Sequence, residues 1–444
     1  MIAIHAVARA GARLAPIHPG WDEDQVAAFL ETVGPDLFLT DGAGAPPGTA
    51  WSEAAGSLPG PSGVRLFARA GGGVRGARPE PPAGTDVLLS TSGTTGRPRV
   101  VCHSWAGLGA NAVAAARRNR FGPGDTWLAT LAWAHVGGLA VAIRAAALGG
   151  RIAFGPPRFV PAGVAEALGR LEATHVSLVP AMLHGLLDLG APPPPTLRLV
   201  LLGGASTTPA LARRATGAGW PIALTYGLTE MGSQVATGEP GERAAEPGVV
   251  GRPLDGVELR IGPDGEIEAR GPSRALGILG DPAAAGEWLA TGDVGALDAR
   301  GRLRVTGRRS DRIVSGGTNV DPVEIEAVLV SHPAVREACV VGTPDEVWGE
   351  IVTAVVVARA ASGGPASATL DASTPAEGAG TLAGPGGLLE WVEGRLGGAR
   401  LPRRWWWVES LPRTPNGTVD RARIRRAASE RSDWGGSPTG RKGT

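Results

Sequence analysis

HVSLVPAMLHGLLDLGAPPPPTLRLVLLGGASTTPALARRATGAGWPIALTYG, residues 175–227, is the stretch on which the fold turns. Three runs in it, His175 to Val179, Leu197 to Leu202 and Ile222 to Tyr226, are short and rich in β-formers, and each is followed by Gly, Pro, Ser or Thr. Longer stretches of helical spacing separate them. Continuous apolar strands are buried on both faces, and strand–helix alternation puts them in a sheet covered by helices. Asp86 to Ser90 repeats the pattern upstream. The expectation is an α/β fold whose large N-terminal domain is made of stacked α/β subdomains.

Downstream the period changes. Within residues 251–305, GVELRI, GEIEAR and GRLRV alternate apolar and polar residues between turn signals, as half-exposed antiparallel strands do, so a β-rich subdomain follows. Beyond Arg308 a helical VEIEAVLV, then ACVVGTP and a strand IVTAVVVA, make a small α+β unit. The expected domains are 1–307 and 308–428. Residues 360–387, nearly all Ala, Gly, Ser, Thr and Pro, form a low-complexity insertion with too little apolar surface to offset its ordering entropy. A disordered tail is expected at 429–444.

The 444 residues amount to about three times a ~150-residue domain, in line with two or three domains. Lys+Arg 43 against Asp+Glu 42 leaves a net charge of +1, which disfavours a nucleic-acid surface. Lys442 is the one lysine, so nearly every cation is a guanidinium that cannot serve as a base. Cys102 and Cys339 are too few for a disulfide framework or a cysteine zinc site and fit a reducing cytoplasm. The most apolar stretch, Leu139 to Leu148, carries Arg144 and falls far short of the ~18 apolar residues of a membrane span. The N-terminus, interrupted by Arg9 and Arg13, is not a secretory signal and reads as a helix already under way.

Four segments could carry chemistry. Leu88 to Val100, LLSTSGTTGRPRV, runs from a strand into Thr91, Ser92, Gly93, Thr94, Thr95 and Gly96, then Arg97 and Arg99. Glycines allow close backbone approach, and successive N–H groups and hydroxyls can surround phosphate oxygens. The glycine spacing is not that of a Walker A loop, and a polar turn between strands is the bland alternative. VLLGGAS, Val200 to Ser206, ends a buried strand in Gly203 and Gly204, where backbone can approach a flat ligand. TYGLTEMGSQVAT then places Tyr226, Gly227, Thr229 and Glu230 together: an aromatic face, a hydroxyl and an oxygen ligand for magnesium. A capped turn with a surface glutamate is its alternative. Thr291 to Glu326 offers Asp293, Arg308 and the Gly316–Gly317 turn, or merely hairpins with charged turns.

In this order the four segments resemble the adenylate-forming superfamily of acyl-CoA synthetases, peptide-synthetase adenylation domains and luciferases. The resemblance implies that residues 91–96 close over the ATP β- and γ-phosphates and that Gly204 and Ala205 line the adenine, with Tyr226 and Gly227 beside it. It further implies that Thr229 meets the α-phosphate, Glu230 holds Mg²⁺, and Asp293 with Arg308 binds ribose. The implied reaction forms an acyl-adenylate and then a CoA thioester. Between these halves the small, mobile C-terminal domain turns about a hinge at Ser310, with Gly316 and Gly317 on the CoA side.

Within the superfamily, LAWAHVGGLAVAIRAAALGGRIAF, THVSLVPAMLHGLLD and YGLTEMGSQVAT are most similar to the 2-succinylbenzoate–CoA ligases of menaquinone synthesis. Such an acid presents a second carboxylate needing a cationic partner. Arg144, nine residues after His135 on what should be the same helix, is the expected partner; His135 matches the family's acyl-pocket histidine, and Ser233 also resembles that ligase. The alternatives are another aryl or acyl acid, or a nucleotide-binding homologue impaired in adenylation. The last is motivated by LPRTPNGTVDRARIRR, where Thr418 stands at the family's catalytic lysine. Arg413 and Arg421 are the nearest substitutes. HAVARAGARLAPIHP resembles a helix and strand that in relatives follow several tens of residues, so either translation starts upstream or the first subdomain lacks its opening segment. The expected partners are ATP, Mg²⁺, CoA and a small carboxylate, without nucleic acid; the sequence assigns no oligomeric state.

Overall fold

The structure is a computed structural model and describes residues 7, 9–19, 21–33, 35, 37–40, 51–53, 65–69, 79–91, 99–239, 246, 248–281, 286–359, 387–414, 418–430 and 438–440. Near the N-terminus α1 (Glu23–Val33) buries Phe29 and Leu30. Strands β1 (Leu37–Thr40), β2 (Trp51–Glu53) and β3 (Arg65–Arg69) form a small antiparallel sheet in the order β1-β3-β2. β4 (Val87–Thr91) and β5 (Arg99–His103) make a hairpin. Helix α2 (Trp105–Asn119) opens where the Ser104 hydroxyl accepts the Gly107 N–H and ends on Arg120 in the left-handed conformation.

Strand and helix then alternate: β6 (Thr126–Ala129), α3 (Val136–Leu148), β7 (Arg151–Phe154), α4 (Pro161–Arg170), β8 (His175–Leu178), α5 (Pro180–Asp188), β9 (Leu199–Leu202), α6 (Pro209–Gly217) and β10 (Ile222–Leu228). These strands pair in parallel in the spatial order β10-β9-β8-β6-β7. Residue alternation along β9 shows why its sequence is apolar throughout. Val200 and Leu202 pack with Leu168, Leu183 and Leu211 under α4, α5 and α6, while Leu199 and Leu201 pack with Ala116, Val141 and Ala145 under α2 and α3. Truncating a side chain such as Leu183 would cost about 3 kcal/mol or more.

The other edge of β10 pairs antiparallel with β11 (Ser233–Thr237). Beyond lie β12 (Val249–Pro253), β13 (Glu258–Ile261), β14 (Glu266–Arg270), β16 (Leu289–Leu297) and β17 (Leu303–Arg308), while β15 (Gly277–Ile278) joins β5 instead. The expected β-rich subdomain is therefore continuous with the parallel sheet: eleven strands run in the order β13-β14-β16-β17-β12-β11-β10-β9-β8-β6-β7. The seam between the parallel and antiparallel halves is β10.

The C-terminal lobe has its own sheet. It contains β18 (Ile313–Ser315), β19 (Thr318–Val320), β20 (Val335–Asp345), β21 (Gly349–Ala358), β22 (Arg404–Trp407) and β23 (Pro438–Gly440). α7 (Pro322–Val330) and α8 (Leu388–Glu393) cover one face, where Val352, Ala354 and Val356 meet Ile325 and Val392; α9 (Arg421–Glu430) covers the other, where Val355 and Trp406 meet Ile424 and Ala428. The large sheet ends at Arg308 and the small one begins at Ile313, with one 3₁₀ turn, Arg309–Asp311, between them.

The tail departs from expectation: Ser429 and Glu430 complete α9, and Pro438–Gly440 pair with the open edge of β22, which has backbone groups left to satisfy. The remaining tail residues and residues 360–386 of the insertion lie outside the described residues.

Candidate active site

The seam at β10 is locally distorted. Its pairing with β11 shifts register between Tyr226 and Gly227, and a Cβ at Gly227 would run into the Ser233 carbonyl oxygen. Only glycine fits there. Ser233 in turn takes a positive φ of 123°, backbone strain held by its surroundings. The 3₁₀ turn Thr229–Met231 follows and closes on Gly232. Two buried side chains fix this turn from behind. His103 is hydrogen-bonded through Nε2 to the Thr229 carbonyl oxygen at 2.8 Å, and burial pushes its imidazole down to about 4, so it is neutral at pH 7. Asn111 donates from Nδ2 to the carbonyl oxygens of Gln234, 2.7 Å, and Met231, 3.3 Å.

Near the turn, Tyr226, Asp293 and Arg308 of the expected nucleotide residues meet from distant parts of the chain. Tyr226 donates its hydroxyl proton to Asp293 Oδ2 at 2.6 Å, and Arg308 Nε sits 3.0 Å from Asp293 Oδ1. Burial raises the Asp293 carboxyl above the usual carboxylate range, with the Arg308 guanidinium opposing; burial and then the Asp293 charge raise the Tyr226 phenol. Glu230 pairs with Arg99 Nη1 at 3.1 Å. Thr91 lies opposite Arg99 in the hairpin, Gly204 has φ 77°, and Ala205 is exposed at the C-terminal end of β9. Gly203 is tightly placed, since a Cβ there would lie 2.6 Å from the Thr225 methyl. Ser92, Gly93, Thr94, Thr95 and Gly96 lie outside the described residues.

The expected acid-binding residues divide differently. His135 caps α3 rather than belonging to it, and its ring lies 4.7 Å from that of His18. The cap residue has an extended backbone, so the shared helix expected for His135 and Arg144 does not hold. Arg144 is 1% exposed and donates from Nη2 to Gln234 Oε1 at 2.9 Å, with its guanidinium 4.5 Å from the centre of the Trp127 ring. Its Nε and Nη1 have no hydrogen-bond partner, and burial pushes the guanidinium down to about 9. Gln234 Oε1 also accepts from Asn119 Nδ2 at 3.0 Å, and Gln234 Nε2 donates to Thr237 Oγ1 at 2.9 Å. Beneath, His175 stacks on Trp127 and bonds the Asn119 carbonyl oxygen; burial pushes it, too, down to about 4.

In the C-terminal lobe Gly316 and Gly317 make the β18–β19 turn with φ of 55° and 76°, the first against the Trp348 ring. Ser310 occupies the 3₁₀ turn between the sheets. The Thr418 hydroxyl is 2.7 Å from that of Thr414. Neither expected substitute cation is available, since Arg413 pairs with Glu337 and Arg421 with Glu326.

Comparison with known proteins gives the family. The description of AMP-binding enzymes matches residues 1–279, and that of the AMP-binding enzyme C-terminal domain matches residues 324–418. The chain belongs to the AMP-binding enzyme family. A 2-succinylbenzoate–CoA ligase of Bacillus cereus is 35% identical over 360 residues, covering 78% of this chain and 70% of that protein. The o-succinylbenzoate CoA synthetase of Bacillus subtilis, solved in complex with the acyl-adenylate intermediate OSB-AMP, matches with TM-score 0.66 and 31% identity over 77% of this chain and 69% of its own. The same enzyme in complex with ATP and magnesium ion gives TM-score 0.66 and 31% identity over 77% and 70%.

For a member of this family, several supporting side chains went unread in the sequence. Asn111 and Asn119, isolated amides on the alanine-rich face of α2, were the available signal, because a buried amide demands partners. His103, the last residue of β5, gave none.

Proposed function

We propose that this AMP-binding enzyme is an acid–thiol ligase that uses ATP, Mg²⁺ and CoA to convert 2-succinylbenzoate into 2-succinylbenzoyl-CoA, a step of menaquinone biosynthesis. A carboxylate oxygen attacks the α-phosphorus and pyrophosphate leaves. The CoA sulfur then attacks the acyl carbon and AMP departs. In this reading Tyr226, Gly204 and Ala205 receive the adenine, Asp293 and Arg308 the ribose hydroxyls, Thr229 the α-phosphate, and the 91–96 loop the outer phosphates. Asp293, already an acceptor for one hydroxyl and paired with one guanidinium, suits a diol.

Among the described residues no three His, Cys, Asp or Glu side chains are grouped to hold a metal. A lone carboxylate, Glu230, suits Mg²⁺, which takes few protein ligands beside phosphate oxygens and water. When bound, the ion would neutralise phosphate charge. Glu230 must first exchange Arg99 for it.

Arg144 carries the choice of acid. It is a buried cation with two unbonded nitrogens and no carboxylate beside it, next to Gln234 and Ser233, and the second carboxylate of 2-succinylbenzoate fits that deficit. His135 would line the acyl pocket, and Gly316 and Gly317 would meet CoA once the lobe turns at Ser310. The free, buried thiols of Cys102 and Cys339 suit a reducing cytoplasm, and no helix among the described residues is long and apolar enough to cross a membrane.

A second reading rests on Thr418. Without a lysine the carboxylate and α-phosphate meet with less compensation, so adenylation is the slow half. The test follows pyrophosphate and thioester separately with ATP, Mg²⁺, CoA and 2-succinylbenzoate. Thioester formation that fails with acids lacking the second carboxylate is the expected result. Thioester from supplied acyl-AMP without pyrophosphate would favour a second-half enzyme, and ATP binding with neither product would overturn ligase activity.

A further inference from the structure

The 3₁₀ turn that carries Thr229 and Glu230 is held by its backbone. Each of its three carbonyl oxygens accepts a hydrogen bond from a different element. His103 Nε2, at the end of β5, donates to the Thr229 oxygen at 2.8 Å, and the Ala275 N–H, on the segment leading into β15, donates to the Glu230 oxygen at 2.8 Å. Asn111 Nδ2, on α2, donates to the Met231 oxygen at 3.3 Å. A carbonyl oxygen only accepts, so His103 carries its proton on Nε2. Its Nδ1 is then a buried acceptor with no partner among the described residues. An unsatisfied buried nitrogen lowers stability, and an apolar side chain would fill the same place without that loss. Folding alone does not account for a histidine here.

Strand β5 meets the turn twice. At one end Arg99 pairs with Glu230, and at the other His103 holds Thr229. Arg99 must give way when a metal takes the carboxylate, whereas His103 holds a backbone oxygen and has no such exchange to make. β15 repeats the tie: Gly277 pairs with Cys102, and the Leu276 N–H donates to the Cys102 oxygen at 2.8 Å.

We propose that His103, supported by Asn111, is a positioning residue for metal-dependent ATP binding, fixing the Glu230 carboxylate relative to Thr91 and Arg99 at the loop end of the β4–β5 hairpin. This deepens the ligase reading and rests on its assignment of Glu230 to Mg²⁺. Mg²⁺ demands near-ideal octahedral geometry, so a carboxylate free to drift with its turn would hold it poorly. His103 is 0% exposed and acts only through the Thr229 carbonyl.

ATP binding without acid or CoA tests this apart from turnover. Affinity is measured by calorimetry with Mn²⁺ in place of Mg²⁺, and again with a chelator. The native protein should bind ATP more tightly with the metal. His103→Gln and His103→Asn differ in reach: the first puts an amide nitrogen where Nε2 stands, and the second stops at the place of Nδ1. His103→Asn should lose about tenfold of the metal-dependent affinity and change the metal-free affinity less than about twofold, and His103→Gln should recover most of the loss. Asn111→Leu should lose about threefold, and it carries the test if neither variant at position 103 folds. Native metal dependence in His103→Asn or, where that does not fold, in Asn111→Leu would overturn the proposal. So would equal losses in both variants at position 103, or equal losses with and without the metal. A native protein whose ATP affinity ignores the metal would overturn it together with the Glu230 assignment. The thioester assay is separate: variants that behave as described in a protein that makes no thioester would sink the ligase reading and leave the positioning role standing.

Discussion

Arg144 in the N-terminal lobe is a buried guanidinium and Arg421 in the C-terminal lobe a half-buried one, and their surroundings are opposite. Burial disfavours the charge of each. At Arg421 that penalty is outweighed by Glu326 and Asp311, so its pKa rises above the ordinary arginine value. At Arg144 nothing among the described residues outweighs it: one amide oxygen and the Trp127 face are the compensation there, and its pKa falls. A buried charge without a counter-ion is costly. The folded chain has completed one guanidinium internally and left the other in deficit. Completion suits a fastener, and on the proposed reading the deficit is where the second carboxylate binds.

The largest break of this comparison is on the fastened side. Arg421→Met leaves Glu326 and Asp311 without their guanidinium, and it should destabilise the C-terminal lobe by about 2–3 kcal/mol, measured by urea unfolding. A loss under about 1 kcal/mol would mean that the pair is not the fastener its geometry suggests.

Acid should next separate the lobes. Burial holds His103 and His175 down to about 4, against an ordinary value of 6.5, and His18 and His184 are also lowered; all four lie in the N-terminal lobe. The unfolded chain binds protons that the folded one refuses, so stability falls as pH drops from about 6.5 toward 4 and then levels off. Each of the two most shifted histidines contributes about 3 kcal/mol to that fall. The N-terminal lobe should therefore melt first near pH 5, as followed by hydrogen exchange. Equal loss of protection in both lobes would contradict the assignment.

How much of this was legible depends on sequence distance. The run Leu199–Leu202 announces a strand buried on both faces, and Tyr226 to Glu230 announces a turn with chemistry, because strand period and glycine placement are local. The Arg144 cluster is different: Gln234 meets Asn119 across 115 residues and Arg144 across 90, so no spacing reveals that the guanidinium lacks a carboxylate. Likewise His103 meets Thr229 across 126 positions, and only the folded chain joins them.

Thr418→Lys sharpens the comparison from a third position, where a threonine stands at what the resemblance makes a lysine position. Its hydroxyl is engaged with Thr414, and Arg413 and Arg421 are committed elsewhere, so neither of these supplies the charge. The substitution should raise the rate of pyrophosphate release about 100-fold and leave thioester formation from supplied acyl-AMP unchanged. No gain would mean that another cation already meets the reacting phosphate.

The smallest expected effect decides most about Arg144. Arg144→Met removes a charge that the fold leaves unpaired and keeps a long apolar stem against Trp127. Stability should hold or rise slightly, the reverse of Arg421→Met, because an uncompensated buried cation disappears. Affinity for 2-succinylbenzoate should fall about 30-fold, close to 2 kcal/mol, through loss of a charge-assisted hydrogen bond. A monocarboxylic analogue without the second acid group should bind both proteins alike. Should Arg144→Met destabilise the chain as strongly as Arg421→Met while sparing affinity, the deficit at Arg144 would be only apparent, and the cluster of Gln234, Asn119 and Trp127 would be a fastener built from amides and an aromatic face.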